Sequence, residues 1–584
     1  MDEVIFLNLH RRYTNVQPSY GGFLGIYQLA AFLRENGYEA QGFSGSLMEG
    51  KRILDKVCQG GMVSLVGLYC DYANVTENIF LSRYIKETYG LPVIVGGPQA
   101  TSLREEFMLK SQCDAVVRYE GEMTTLELAQ YFIDGSGTLD TMLGIMTYEN
   151  GTCHIHPERP VIENLDALPV VDDLCYIYPQ ARHDELDLMT GRGCPFHCAF
   201  CHEGHHSRKV RFRSVENVLN EIRHFLELKA KHRHVYILFT DDTFTLIPKR
   251  VHAICKGLKE LKKTYDFTWY CEGHVHMLYK NPQMIDDMAE AGCLRIQLGI
   301  ESGNQFVLDA YNKGCTLEEI EAVVQHALDA GIEQIFGNII LGSAFATKET
   351  YEKDKAFAEK LIRLGAGQME FGVVSYWPLA ETPMTTHPND FGIQIEDARF
   401  EQAADDFPQV RTRVFNRVQI SQLIQQLRFD LNDYMKDMIR RRKIPTSRIL
   451  SWFDLAGHYK VVSSWYALLS EMPAEYGYYE MLHTGEVCES KDISKEAFYD
   501  AHPMRVLSLN YHISYSDDNH FDLMNLHLSE LEQQVLLYSV GKLSVREIIH
   551  RVIKEPEQIE KGTEQVVRAL QRLEKNHLVL FSLY

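Results

Sequence analysis

Short apolar runs ending in glycine or polar residues, each followed by an amphipathic stretch, recur along the first two thirds of this 584-residue chain. That alternation restricts it to α/β architecture built on parallel sheets. In the first block the runs are residues 4–7, 41–43, MVSLVGLYC, LPVIVGGPQA and 114–118, and IYQLAAFLRENGY, SRYIKETYG and TTLELAQYF between or after them have helical period. The pattern predicts a doubly wound, Rossmann-like sheet over residues 1–165, with ligands at the carboxyl ends of its strands. Those ends carry Tyr69, Asp71 and Tyr72; Gly96, Gly97, Pro98 and Gln99; and Glu120, Gly121 and Glu122. Each glycine alone reads equally well as a turn residue.

A linker over 166–182 leads to a second alternation, residues 183–385. LDLMTGRG, HVYILFTDD, FTWYCEGHV, LRIQLGIESG, IFGNIILGS and MEFGVVSYW read as six strands with helices between them. Six such units predict a partial (β/α)6 barrel with its chemistry at the strand carboxyl ends. Asp241, Asp242, Glu272, His274, Gln297, Glu301 and Asn338 fall there. For Asp242 and Ser302, helix capping is the better reading.

After the first of these six strands stands MTGRGCPFHCAFCHEG, with Cys194, Cys198 and Cys201 spaced CxxxCxxC. Three thiolates serve a cubane iron–sulfur cluster of four irons and leave one iron open to a ligand. A closed structural zinc site takes four ligands; zinc shared with one of the nearby histidines 197, 202, 205 and 206, or plain reduced thiols, are the alternatives. Gly191 and Gly193 allow a tight turn, and Phe196 and Phe200 alternate with the thiolates, where they would exclude water.

With Phe200 at its aromatic position, this loop resembles the CxxxCx(aromatic)C loop of the radical S-adenosylmethionine (radical SAM) superfamily. The resemblance implies a 4Fe–4S cluster on Cys194, Cys198 and Cys201 and SAM on the open iron. It also implies Asp241 of FTDDTF as the contact to the SAM amino group, and Glu272, Gln297 and Glu301 as ribose and aminoacyl contacts. GIESGNQFVLDAYNKG is similar to the family's GIESG…NKG stretch and YWPLAETPM to its YPxPGTPx turn, while GSAFATKET departs from its GLPGET. In the first block PSYGGFLGIYQLAAFLRENGY, GGPQAT and RYEGE, taken in order, resemble the cobalamin-binding domain upstream of one radical SAM subfamily. Cobalamin against Tyr69, Asp71, Tyr72, the 96–99 turn and the 120–122 turn is what this implies. The DxHxxG string that supplies a histidine ligand to cobalt is absent, and the axial position is left open among Tyr69, Asp71, Tyr72 and water.

Residues 386–520 read as a mostly helical substrate or cap region, clearest in ISQLIQQLRFDLNDYMKDMIRRR, whose basic end reads as a solvated helix terminus. Residues 521–584 resemble a winged-helix unit, either a peptide-binding edge or a structural cap. The net charge of −21 opposes nucleic-acid binding. No run reaches a membrane span, and MDEVIFLNLHRRY does not read as a signal peptide. Thirteen scattered cysteines fit a reducing cytoplasm.

The combined resemblance implies a cobalamin-dependent enzyme that methylates a non-nucleophilic carbon through a 5′-deoxyadenosyl radical and methylcobalamin. It would act on a small molecule or peptide and draw electrons from a flavodoxin or ferredoxin. A rearrangement or ring-forming enzyme is the alternative; a cobalamin- or cluster-sensing regulator is the reading from another class.

Overall fold

The computed structural model describes residues 3–9, 24–71, 73–178, 184–206, 209–229, 233–379, 381–396, 407–458, 463–507, 513–515, 521–523, 526–555, 557 and 559–583. Tyr72 and the PSYGGF turn lie outside them. Two compact units divide the chain: residues 1–361 with 371–428, and residues 362–370 with 429–584.

The first unit begins with a seven-stranded sheet. Its strands are β1 (Glu3–Leu9), β2 (Glu39–Gly45), β3 (Val63–Tyr69), β4 (Val93–Gly96), β5 (Ala115–Val117), β6 (Ile145–Glu149) and β7 (Thr152–Ile155), in the order β2-β1-β3-β4-β5-β6-β7. The first five are parallel; β6 and β7 add an antiparallel edge. Side chains alternate across the sheet, so Val4, Phe6, Leu65 and Ile94 pack on the helices Leu24–Glu35 and Glu122–Phe132. Ile5, Leu7, Val66, Val93 and Val95 pack on the opposite face, against the helices Leu47–Cys58, Val75–Tyr89 and Pro98–Ser111. This is the doubly wound arrangement. The β6–β7 hairpin was not among the expected strands, although Asn150 and Gly151 at φ 50° and 82° form the Asn-Gly turn that favours one.

The same unit continues with a six-stranded sheet of β8 (Glu185–Leu188), β11 (Val235–Phe239), β12 (Phe267–Gly273), β13 (Cys293–Glu301), β14 (Gln334–Leu341) and β15 (Met369–Ser375, whose first two residues fall in the other unit), in the order β15-β14-β13-β12-β11-β8, with every pair from β8 to β14 parallel. Between β8 and β11, a hairpin of β9 (Gly191–Arg192) and β10 (Arg211–Phe212) brackets the cysteine loop. Every expected barrel strand is present, and the open six-stranded order is that of a partial barrel.

The second unit contains helices at Thr446–Gly457, Ser464–Ser470 and Pro473–Thr484, then helices Glu530–Tyr538, Val545–Val552 and Ile559–Lys575 and a strand Val579–Ser582 paired antiparallel with His502–Arg505. Val535, Leu536, Ile548, Val566, Leu570 and Phe581 form part of its core. Tyr478 and Tyr479 are buried there. Of the basic run at 440–443, Arg442 is not solvated: its guanidinium donates to Glu489 Oε1 at 2.5 Å and to the carbonyls of Glu574 and Lys575, and Tyr478 donates to the same carboxylate at 2.8 Å. Arg442→Met removes one of two cations on the buried Glu489 and leaves Lys491, 2.5 Å from Oε2, as the other. It is expected to destabilise this unit by about 2 kcal/mol through the lost charge-assisted hydrogen bonds, read as hydrogen exchange roughly thirtyfold faster in helix Pro473–Thr484; unchanged exchange would show the network to be dispensable.

No helix among the described residues is long and apolar enough to cross a membrane.

Candidate active site

Both parallel sheets of the first unit end on one cavity of about 710 Å³. From the first sheet it is lined by Tyr69, Gly96, Gly97, Pro98, Tyr119, Glu120, Gly121 and Glu122; from the second by Asp187, Met189, Thr240, Asp242, Tyr270 and Glu272. Arg192, Gly193, His202 and Glu203, on the two flanks of the cysteine loop, complete the wall. Gly97 is obligatory: at φ +109° its missing Cβ would run into the carbonyl of Cys70. The 96–98 edge therefore presents bare backbone to the cavity, the surface a large planar ligand needs.

The cysteine loop is pinned from several sides. Ala199 N donates to the Tyr311 carbonyl at 2.8 Å, Met384 N donates to the Ala199 carbonyl at 3.1 Å, and Asn312 Nδ2 donates to the His197 carbonyl at 3.0 Å. Cys194 and Cys198 are buried, Cys201 is partly exposed, and none of the three is in a disulfide. Burial pushes the Cys194 and Cys198 thiols up. Phe200 packs edge-on against Tyr311 at 5.1 Å and does not line the cavity. Near Cys198, the ammonium of Lys313 is buried and pairs with Glu301 at 3.0 Å. A Cβ on Gly299 would overlap both members of that pair, so its glycine identity makes room for them. Three cysteines outside any disulfide, with a buried cation near Cys198, fit an anionic iron–sulfur cluster.

The two aspartates after β11 have separate tasks. Asp241 is 4% exposed, and its carboxylate accepts from Thr190 N at 2.5 Å, Thr190 Oγ1 at 2.5 Å and Gly191 N at 3.1 Å. Burial pushes it up to about 6 against those bonds. It holds the entrance to the cysteine loop and is not among the residues that line the cavity. Asp242, which the sequence suggested as a helix cap, instead reaches the cavity and accepts from Gly193 N at 3.1 Å.

Glu120 and Glu122 are likewise committed. Arg211 donates to both oxygens of Glu120, at 2.5 and 3.1 Å, and Arg192 donates to Glu122 at 2.5 Å. The carboxylates expected to meet cobalamin thus grip the β9–β10 hairpin. Asp71 accepts from Ala73 N at 2.8 Å in a local turn and stays outside the cavity, as does Gln99, buried in the first turn of helix Pro98–Ser111. Tyr119 takes φ +68°, an unusual conformation for a tyrosine, in the cavity wall.

A residue missed in the sequence is Tyr270. Its hydroxyl lies 3.1 Å from Glu272 Oε1 and 3.1 Å from Gln297 Oε1, while Gln297 Nε2 donates to Glu272 at 3.0 Å. Period-2 alternation from Glu272 would have marked it. Burial pushes Glu272 up to about 7, with Asp242 and Glu301 adding to the rise and Tyr270 and Lys313 opposing it. The folded state holds this proton more tightly than the unfolded chain, so its stabilisation is present below pH 4.5 and lost as pH rises through about 7. Glu272→Gln is therefore expected to gain on the parent by roughly 3 kcal/mol between pH 5 and 8, measured as the difference in urea midpoints; parallel curves would contradict the burial argument.

A three-cysteine loop at the carboxyl edge of an open parallel barrel defines the radical SAM class, and the radical SAM superfamily model matches residues 188–358. The chain carries a radical SAM domain. It is 34% identical over 293 residues to an uncharacterised methyltransferase of Pyrococcus horikoshii, a match covering 49% of this chain and 59% of that protein. The chain thus spans little more than half of that relative. Its fold is that of two solved enzymes. One is TsrM of Kitasatospora setae, a radical SAM methyltransferase solved with tryptophan substrate and a SAM analogue (TM-score 0.60, 16% identity, 81% of this chain and 98% of that one). The other is OxsB, a cobalamin-dependent SAM radical enzyme solved with aqua-cobalamin and SAM (TM-score 0.58, 17% identity, 98% of this chain and 80% of that one).

Proposed function

We propose that this protein is a cobalamin-dependent radical SAM methyltransferase acting on a carbon that is not a nucleophile. The single cavity bounded by the strand ends of both sheets carries the reading, because it opens the cobalamin-type edge and the cysteine loop onto one space. Bound there, the cluster and SAM would supply hydrogen abstraction, and cobalamin the methyl group. Cys194, Cys198 and Cys201 ligate the cluster. Asp242, exposed to the cavity, takes the SAM amino group in place of Asp241. Glu272, oriented by Tyr270 and Gln297, would accept from the ribose hydroxyls, and the Lys313–Glu301 pair would serve the aminoacyl end. Tyr69, Gly96, Gly97, Pro98 and Gly121, which line the cavity, would hold the corrin, Tyr69 in preference to Asp71, whose carboxylate accepts from Ala73 N in its own turn. Glu120 and Glu122 keep the cluster hairpin against that domain.

The substrate is a small molecule or a peptide, and a flavodoxin or ferredoxin is the electron donor. Free cysteines support residence in the cytoplasm, and residues 521–584 serve as a winged-helix-like cap. The reading is tested by anaerobic reconstitution with iron, sulfide and hydroxocobalamin, followed by SAM and reductant. Retained cobalamin with S-adenosylhomocysteine and 5′-deoxyadenosine as products supports methyl transfer. Deoxyadenosine with bound cobalamin but no S-adenosylhomocysteine would point to a rearrangement, and failure to retain cobalamin would overturn the assignment of the first domain.

A further inference from the structure

His274 follows β12 at the carboxyl end of the barrel and belongs to no interaction used above. It is 7% exposed, and neither ring nitrogen makes a hydrogen bond. Its ring stacks on Phe196, between Cys194 and Cys198, with centroids 3.7 Å apart and planes 12° from parallel. Its backbone N is held by Thr245 Oγ1 at 3.0 Å. The Lys313 backbone and ammonium are near enough to influence the ring, yet no bond of acceptable geometry is formed.

A buried donor without an acceptor costs stability and calls for an explanation. Imidazole carries at least one N–H in either protonation state, so the argument does not depend on titration. The N–H bonds lie in the ring plane, and stacking on Phe196 fixes that plane against the cysteine loop. Rotating the ring to find another partner would break the stack. The acceptor is therefore supplied by what the loop holds.

We propose that His274 donates a hydrogen bond to an anionic atom bound at the three-cysteine loop, either a sulfur of the cluster or the carboxylate of the aminoacyl group on its open iron. This rests on the reading of that loop as a cluster site. Its role is to position and tune what is bound there.

The test uses the full-length, anaerobically reconstituted protein and two variants, His274→Phe, which keeps the stack and removes the N–H, and His274→Gln, which keeps a donor. Three quantities are read: the midpoint potential of the cluster, the dissociation constant of SAM, and 15N hyperfine coupling to the reduced cluster in protein labelled at histidine. With a sulfur acceptor, the coupling appears without SAM and His274→Phe makes the potential more negative, because the reduced cluster loses a donor. With a carboxylate acceptor, the coupling appears only with SAM and His274→Phe weakens SAM binding about tenfold at unchanged potential. In both cases His274→Gln stays close to the parent in potential and SAM affinity, while the histidine 15N coupling disappears with the ring.

A parent with full iron and sulfide content whose potential, affinity and spectra match those of His274→Phe overturns this inference alone. A parent that takes up no cluster overturns the loop reading and this inference with it. Loss of the cluster in both variants would assign His274 to packing and also overturn the proposal.

Discussion

Alanine at Cys194, Cys198 or Cys201 is expected to abolish SAM cleavage, and each variant alone should suffice. Three protein thiolates are the minimum that leaves one open iron on a cubane. No other described cysteine belongs to the loop; Cys315, the nearest in sequence to the paired Lys313, is buried after a separate strand. Iron and sulfide analysis should fall well below the parent, and 5′-deoxyadenosine should drop to the background of a no-enzyme control. Ala199 and Tyr311 keep their backbone hydrogen bond in all three, so the loop retains its anchor. A variant that still cleaves SAM would sink the ligation scheme.

The second large effect is expected at the ion pairs between the first sheet's carboxyl edge and the cluster hairpin. The Arg211 side chain is 5% exposed and that of Glu120 17% exposed, and the carboxylate also accepts from Ile162 N at 2.9 Å. Arg211→Met leaves the Glu120 carboxylate only the more distant Arg192, 3.5 Å away, as counter-charge and should cost about 3 kcal/mol. Arg211→Met combined with Glu120→Met should recover much of that loss, because neither charge then remains buried alone. Burial tends to raise Glu120, but the bonds from Arg211 and Ile162 and the charge of Arg192 outweigh it and hold the carboxyl below 4.5. Its stabilisation is accordingly complete above pH 4.5 and lost as pH falls through the lower folded value. Urea midpoints of the parent, single and double variants at neutral pH test the argument, and a neutral Arg211→Met would refute it. Hydrogen exchange at residues 118–122 and 190–193 should quicken together in the single variant if the two segments are held by this pair.

Much of the architecture was legible because strand and helix periods are local. Residues 4–7 had to be buried on both faces and 24–35 on one, and the structure has them so. The six barrel strands were legible for the same reason. The β6–β7 edge escaped because a parallel reading has no place for a hairpin after its fifth strand, even with Asn150-Gly151 in view. Arg442 escaped because a basic run at a helix end normally points to water, and it takes Glu489, two distant carbonyls and the Tyr478 ring to draw this one inward.

The sequence by itself determined the parallel sheets, the three-cysteine loop and the glycine edge at 96–97, all of which depend on spacings of a few residues. Only the tertiary structure decided which carboxylates meet the cavity. Asp241 and Asp242 are neighbours on a strand end, so one turns toward the loop and the other toward the open space, and a one-residue difference of direction has no signature in composition. Glu120 and Glu122 find their arginines 91 and 70 residues away. His274 meets Phe196 from a separate strand. Pairings at that range are chosen by packing and by the cost of burying a charge without a partner, and neither quantity exists until the chain has folded.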